Sequence, residues 1–177
     1  SDKIDANAGF CGDRQPSTNS STSNGNGGTG TTQTYYGGYI RLTVNQNSVS
    51  PTFECQNSSD LYTTSGSEDG NKALTYPIGL ISADEVVYAG GSWFSNNNYS
   101  YYLYTNQNYW TLSPLYFMGG RAYVFRVNHY GALSNAYVNG LNGYFNDEYG
   151  VRPVINLKAN VQITGGNGSS SNPYVIL

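Results

Sequence analysis

Ser82-Ala83-Asp84-Glu85-Val86-Val87-Tyr88-Ala89-Gly90-Gly91 is the segment that decides the fold class, because it carries the clearest helix signal in the chain. Ser82 is a favourable N-cap residue, and Asp84 and Glu85 lie in the first turn, where the helix dipole favours negative charge. Glu85 also stands three residues after Ser82 and completes a Ser-x-x-Glu capping box. The glycine pair ends the helix. The acidic residues are therefore interpreted as capping groups in preference to catalytic ones.

Strand-like segments lie on both sides of this helix. Upstream, Tyr35 to Val44 predicts a strand with a bulge at Gly37-Gly38, and another strand is predicted around Thr52 to Cys55. Downstream, short aromatic strands alternate with Asn, Gly and Ser turns. These strands are predicted at Tyr101 to Tyr104, Tyr109 to Leu112, Ala122 to Val127, Val151 to Leu157, Val161 to Thr164 and Tyr174 to Leu177. The predicted fold class is α+β, with a largely antiparallel sheet, one or two helices and long loops.

The chain length favours one domain. Its 177 residues can bury one core, whereas two domains of half that size would each be small. We therefore expect a single domain over residues 1–177, with a flexible Ser/Gly/Asn-rich insert at 17–34. The start at Ser1 is neither a signal peptide nor a methionine, so we expect the chain to be a mature form or a fragment of a longer surface protein.

The composition resembles that of a binding surface. Charged residues make up 11% of the chain, against about a quarter in average proteins, and aromatic residues make up 15%. Many aromatic residues with little charge argue against disorder. Tyr, Asn, Ser and Gly are also the residues that dominate antibody paratopes, where rigid rings stand beside small hydrogen-bonding groups.

Charge and hydropathy exclude two classes of partner. The net charge of −3 and the eight scattered Lys and Arg residues provide no basic surface for nucleic acid. No apolar run approaches the roughly 18 to 20 residues that a membrane helix needs, so we expect no membrane insertion within this chain.

The cysteines are Cys11 and Cys55, and neither belongs to a CxxC motif or a Cys/His cluster that would bind metal. We prefer a disulfide that closes a long loop over two free thiols. Such a bond would restrict the unfolded chain and would indicate an oxidising compartment.

Three motifs in order resemble a known family: the helix start Gly79 to Val86, the strand Tyr109-Trp110-Thr111-Leu112-Ser113-Pro114, and the segment Gly150-Val151-Arg152-Pro153-Val154-Ile155-Asn156-Leu157. Their order is similar to that of C-type-lectin-like domains of the formylglycine-generating-enzyme type and of the variable proteins of diversity-generating retroelements. The resemblance is closer still to uncharacterised bacterial surface domains that end in "YGVRPVINLK…ITG…NPYV". It covers roughly residues 72 to 177.

The resemblance implies a C-type-lectin-like fold whose ligand-facing surface is formed by Leu115 to Tyr149. It also shows what is missing here. The formylglycine-generating enzymes use a pair of C-terminal cysteines to bind copper, and this chain has no cysteine after Cys55. The calcium-binding lectins carry a proline motif together with Trp-Asn-Asp, for which this chain offers only Phe145-Asn146-Asp147. We therefore expect no cofactor and no metal, with Asp147 and Glu148 as a solvated turn in preference to a cation site.

His129 is the single histidine and lies in Asn128-His129-Tyr130-Gly131, which has the composition of a hairpin tip. A serine hydrolase would need it as a base facing an activated serine, and no Gly-x-Ser-x-Gly elbow is present. No phosphate-binding glycine motif is present either. We therefore expect no enzymatic activity, with His129 exposed or in contact with a ligand.

The candidate contacts follow from the types of residue that dominate binding hot spots. In the predicted strand Ala122 to Val127, the period of two places Tyr123, Phe125 and Val127 on one face and Arg126 on the other. Trp93 and Trp110 are expected in the core or at its edge. For each candidate tyrosine, packing over the sheet is an equally weighted interpretation. The predicted ligand-binding residues are Tyr116, Arg121, Arg126, His129, Tyr130, Tyr137 and Tyr144.

These observations lead to a functional hypothesis. We expect a non-enzymatic, adhesin-like module at the surface of a bacterial cell or outside it, which recognises a protein or a glycan through the 115–149 surface. A hypervariable form of this surface is one variant of the hypothesis. The alternative is a passive structural or spacer domain of a bacterial surface protein, in which the tyrosines only hold the domain together.

Overall fold

The computed structural model describes residues 2–17, 33–44, 49–95, 97–138, 149–169 and 171–177. Its helices are α1 (Gly37–Tyr39), which continues into a π-helical turn (Ile40–Val44), a 3-10 turn (Ser58–Asp60) and α2 (Ala83–Tyr88). The strands are β1 (Phe10–Cys11), β2 (Thr34–Tyr35), β3 (Leu61–Tyr62), β4 (Gly79–Leu80), β5 (Tyr109–Met118), β6 (Arg121–Val127), β7 (Leu133–Tyr137), β8 (Pro153–Val154), β9 (Ile163–Gly165) and β10 (Val175–Ile176).

A four-stranded antiparallel sheet in the order β2-β5-β6-β7 forms the centre of the described fold. Strand β5 alternates buried and half-buried residues, as expected for a strand with one face on the core. Phe125 and Val127 of β6 are buried, so the period-two prediction for this strand is confirmed. Two-stranded antiparallel pairs, β1 with β3, β4 with β8 and β9 with β10, surround the central sheet. The α+β class with a largely antiparallel sheet is therefore confirmed.

The predicted start of α2 is confirmed in detail. The Ser82 hydroxyl accepts a hydrogen bond from the backbone N–H of Glu85, and the Glu85 carboxylate accepts one from the N–H of Ser82. This reciprocal box satisfies two backbone donors that a helix start otherwise leaves without partners. Val86 points into the core and is fully buried. Glu85 is therefore used in capping, as its position predicts.

The prediction of one strand from Tyr35 to Val44 is wrong beyond Tyr35, because the chain turns into α1 and the π-helical turn. Helical spacing lets Leu42 reach the core, where it is fully buried. It also directs Arg41 between two carboxylates, with Nη2 at 2.7 Å from Asp13 Oδ2 and 2.9 Å from Asp84 Oδ2. Gly38 lets α1 approach Asp13 and Phe125 closely, since a Cβ there would lie 3.0 Å from Asp13 Oδ2 and 3.3 Å from the Phe125 ring. Tertiary contacts thus override the local strand preference.

Two further strand predictions are wrong for similar reasons. The segment 52–55 forms no strand, and the Thr52 N–H instead donates to Asp84. Residues 101–104 form turns, and the buried Tyr101 hydroxyl hydrogen-bonds that of Tyr109 at 2.8 Å. The region predicted as a strand from Val151 to Leu157 forms only the two-residue strand β8, which pairs with β4, and an isolated antiparallel bridge between Leu157 and Ile4. The C-terminal hairpin of β9 and β10 is confirmed.

Cys11 and Cys55 form a disulfide with an S–S distance of 2.07 Å, which confirms the preferred pairing. The two cysteines are separated by 44 positions in the sequence, and their bond joins β1 to the segment before the 3-10 turn. In the described parts of the chain, no helix is long and apolar enough to span a bilayer.

Candidate functional site

Aromatic side chains gather at both ends of the central sheet. One end is the β5–β6 hairpin tip at Gly119-Gly120, and the other is the β6–β7 turn at residues 128–132. Since β6 rises by about 3.3 Å per residue, the two ends are roughly 20 Å apart. The first group, called the tyrosine row, consists of Tyr35, Tyr39, Tyr116, Tyr123 and Tyr137. The second group, called the turn cluster, consists of Phe94, Tyr99, Tyr104, His129 and Tyr130.

The tyrosine row crosses all four strands of the sheet. Tyr35 pairs with Tyr116, Tyr116 with Tyr123, and Tyr123 with Tyr137 in successive ladders. The ring centroids of these pairs are 5.8, 4.3 and 4.4 Å apart, so the rings are in close aromatic contact. Tyr39 of α1 adds a ring 4.7 Å from that of Tyr35. The row is therefore interlocked, and each ring already uses much of its surface on its neighbours.

Burial and mutual contact also affect the ionisation of Tyr116 and Tyr123. The pKa of Tyr123 is raised to about 12. Burial is the largest cause, and the hydrogen bond with Tyr137 and the charges of Tyr137 and Tyr116 add to it. Burial likewise raises the pKa of Tyr116 above its ordinary value. The Arg121 guanidinium lies 5.3 Å from the Tyr137 ring centroid, in a cation–π contact. Tyr116 and Tyr123 thus keep neutral hydroxyls, and Arg121 places a positive charge beside Tyr137.

Four of the five turn-cluster residues are exposed and Tyr104 is half-buried, whereas all five tyrosines of the row are half-buried. Exposed fractions are 52% for Phe94, 50% for Tyr99 and 43% for Tyr130, and His129 is exposed as well. The His129 and Tyr130 rings lie 3.8 Å apart, and those of Tyr99 and Tyr104 lie 5.3 Å apart. Aromatic area that is still in contact with water is the area a partner can bury with a gain in free energy.

Backbone and amide hydrogen bonds hold the two loops of the turn cluster together. The Asn128 side chain accepts from the N–H groups of Tyr130 and Ala132, both at 3.0 Å. Asn98 bridges the loops, because its N–H donates to the Tyr130 carbonyl and its amide donates to the Gly131 carbonyl. A Cβ on Gly131 would collide with the Asn98 carbonyl, so the close approach requires glycine there. The exposed rings therefore stand on a fixed scaffold.

Phe94 adopts a backbone conformation that bulky residues rarely take. Its φ is +49°, a left-handed value that costs on the order of 1–3 kcal/mol and persists only where the surroundings enforce it. The Phe94 N–H donates to the Leu133 carbonyl, and its ring packs edge-on against Trp93 at 4.4 Å. Trp93 in turn packs against Phe125 of the core. These contacts hold the strained backbone of Phe94 in place and leave its ring exposed at the surface.

Arg126 lies on the opposite face of the sheet from Phe125. Its Nε donates to the Asn135 carbonyl at 2.8 Å and its Nη1 to Asn108 Oδ1 at 2.9 Å. The guanidinium stacks 4.7 Å from the Tyr149 ring, which also contacts Trp110. Arg126 therefore connects the sheet to the chain segment before β8.

The seven predicted contacts consequently fall into separate groups. Tyr116, Arg121 and Tyr137 lie together at the tyrosine row. His129 and Tyr130 lie together in the turn cluster, and Arg126 lies on the other face. Tyr144 lies outside the described residues, as do Asp147 and Glu148. Within the described ranges, no three His, Cys, Asp or Glu side chains are grouped as metal ligands.

Sequence reasoning missed Phe94, Tyr99 and Tyr104 as members of the turn cluster. The available signal was the run of Asn96, Asn97 and Asn98 between aromatic residues, which is typical of an exposed loop. Residues 86–120 also contain no Asp, Glu, Lys or Arg. The loop that faces the β6–β7 turn is therefore uncharged.

Comparison with known proteins gave one family match. The model of a domain of unknown function, DUF6273, matches residues 41–159. No curated protein sequence matched the chain significantly, and neither did any solved structure.

Proposed function

The chain belongs to the DUF6273 family, and from its own surface chemistry we propose that it is a non-enzymatic binding module that acts outside the bacterial cell. Within the 115–149 surface, the β6–β7 turn is the main contact, and it acts together with the loop that carries Phe94 and Tyr99. The observation that carries the proposal is the exposed aromatic cluster on a hydrogen-bonded scaffold.

The chemistry of this cluster suits a partner without strong charge. Tyr and Phe rings offer flat apolar area, while neighbouring Asn and Ser groups donate and accept hydrogen bonds. A glycan or a polar protein surface presents complementary groups. Because the scaffold is fixed before binding, little entropy is lost on ordering the loops.

The resemblance to C-type-lectin-like variable proteins is part of the proposal. In such domains the ligand-facing surface lies between the tryptophan strand and the "GVRP" strand, which here includes the β6–β7 turn. The antiparallel central sheet and the capped helix that precedes it support this assignment. If the surface is hypervariable, sibling copies should differ at residues around His129 and Tyr130 and agree at the tyrosine row.

The test uses arrays of glycans and of peptides probed with the labelled chain. Tyr130→Ala should weaken binding to any array ligand by about tenfold or more, because an exposed ring at the centre of a contact is a typical hot spot. The matched control is Tyr76→Ala, which removes a tyrosine that is 69% exposed and belongs to neither group. Equal affinity of both variants would remove the proposal.

A passive spacer is the second candidate, and the tyrosine row favours it. The row holds four strands together through ring contacts that need no ligand. A spacer predicts that no array ligand is bound and that sibling copies are equally similar at both ends of the sheet.

A further inference from the structure

A second feature lies away from the aromatic groups, in a cavity of about 300 Å³ beside the disulfide and the start of α2. Apolar walls and carboxylates face the same space. Its volume is at the lower end of the range for small-molecule sites. The lining includes Phe10, Leu80, Leu112, Asp13, Glu54 and Asp84.

The cavity lining carries an excess of negative charge. Four acidic residues of the described chain, Asp13, Glu54, Asp84 and Glu85, line the cavity together with one basic residue, Arg41, and the Glu85 carboxylate already accepts the Ser82 N–H. Arg41 is already shared, since its Nη2 bonds Asp13 at 2.7 Å and Asp84 at 2.9 Å. Among the described ion pairs, none involves Glu54. A cation in this space would therefore be attracted by several carboxylates, because Arg41 is the single positive charge among the described residues of the cavity lining.

Burial makes this arrangement costly. Loss of hydration raises the pKa of Asp13, although the hydrogen bond and the charge of Arg41 oppose the rise. The half-buried Asp13 and the buried Asp84 share one guanidinium, so one negative charge has no ionic partner of its own, although the Thr52 N–H also donates to Asp84. A second cation within reach would lower this cost.

One wall of the cavity adds aromatic surface. Phe53 lines it and stacks on Tyr88, with ring centroids 4.2 Å apart and planes 14° apart. Both rings are exposed, 68% for Phe53 and 53% for Tyr88. The Tyr88 hydroxyl donates to the Pro51 carbonyl at 3.0 Å, which fixes the stack. The free face of an aromatic ring attracts cations.

We propose that this cavity binds a small organic cation, an aliphatic amine or guanidine. Its charged group lies near Glu54, Asp13 and Asp84, and its hydrocarbon part lies against Phe10, Leu80 and Leu112. The apolar wall distinguishes such a ligand from an inorganic cation, which would gain nothing from it. The site is independent of the turn cluster, so either proposal can fail without the other.

The experiment is calorimetric titration of the intact, oxidised chain with putrescine and with agmatine. The uncharged diol with the carbon chain of putrescine serves as the neutral probe. We expect at least one of the two cations to bind and the diol not to bind. Glu54→Gln should weaken cation binding by about fivefold, as expected for the loss of one exposed charge partner.

Glu68→Gln is the matched control, because Glu68 is an exposed carboxylate outside the cavity. It should bind the cation as the unmodified chain does. Unfolding midpoints of both variants establish that they are folded. The proposal is overturned if neither cation binds, if the diol binds equally well, or if Glu54→Gln and Glu68→Gln have the same affinity.

Discussion

The two ends of the central sheet place the same kind of residue in different surroundings. At the tyrosine row, rings pack on rings across four strands, so their apolar area stabilises the fold. At the turn cluster, Phe94, Tyr99 and Tyr130 keep about half of their surface in water while the backbone beneath them is held by Asn98 and Asn128. Tyrosine content alone therefore does not identify a binding surface. The partners of each ring do.

The largest loss of stability should come from removing the disulfide, because both ends of the sheet belong to the fold that the disulfide stabilises. Replacing Cys11 and Cys55 with alanine removes the closure of a 44-residue loop. We expect the free energy of unfolding to fall by about 4 kcal/mol, measured by denaturant titration. If the fold persists, binding at the turn cluster should be unchanged, since the bond lies in another part of the chain. Loss of binding in a folded variant would contradict the separation.

Tyr123→Ala should have the next largest effect, because Tyr123 contacts a ring on either side in the row. We expect a loss of about 2–3 kcal/mol in unfolding free energy, somewhat below the cost of deleting a fully buried aromatic ring. Tyr123→Phe keeps the ring and should cost less than about 1 kcal/mol. A similar loss in both variants would mean that the hydroxyl, and not ring packing, holds the row.

Alkaline titration should report the row separately. The pKa of Tyr123 is raised from 10.0 to about 12 in the folded chain, so the folded state holds this proton more tightly than the unfolded state. Its contribution to stability is therefore complete below pH 10 and is lost as the pH rises from 10 through about 12. The difference in tyrosinate absorbance between the unmodified chain and Tyr123→Phe should show a midpoint near 12. A midpoint near 10 would contradict the packing of the row.

The smallest change in stability is expected for Tyr130→Ala. Its ring is exposed, and its backbone hydrogen bonds with Asn98 and Asn128 do not need the side chain. The unfolding free energy should change by less than about 0.5 kcal/mol. A loss as large as that of Tyr123→Ala would show that the turn cluster is structural as well.

Local signals were sufficient for much of the fold. The capping box at Ser82 and Glu85 and the period-two pattern of Ala122 to Val127 predicted elements that the structure contains, because both depend on neighbours in sequence. The segment after Tyr35 was mispredicted because its helical path is set by partners far along the chain, Asp84 for Arg41 and the core for Leu42. Local preference carries no information about those partners.

The types of residue in the candidate site could be predicted from the sequence, but which of them lie together in the structure could not. Tyr130 and His129 were expected at a hairpin tip, and they lie there. Phe94 joins them through its own hydrogen bond to Leu133 and that of Asn98 to Tyr130, which no local pattern predicts. Tyr116 and Tyr137 appear equivalent to Tyr130 in the sequence, and only the strand register places them in the row.

The most direct test of the central claim compares the array binding of two variants, the double variant Phe94→Ala, Tyr130→Ala and the single variant Arg121→Ala. Both are probed at the same concentration of folded protein. If the turn cluster is the recognition surface, the double variant loses its array signals and Arg121→Ala keeps them. The opposite result, with signals kept by the double variant and lost in Arg121→Ala, would move recognition to the tyrosine row and contradict the account.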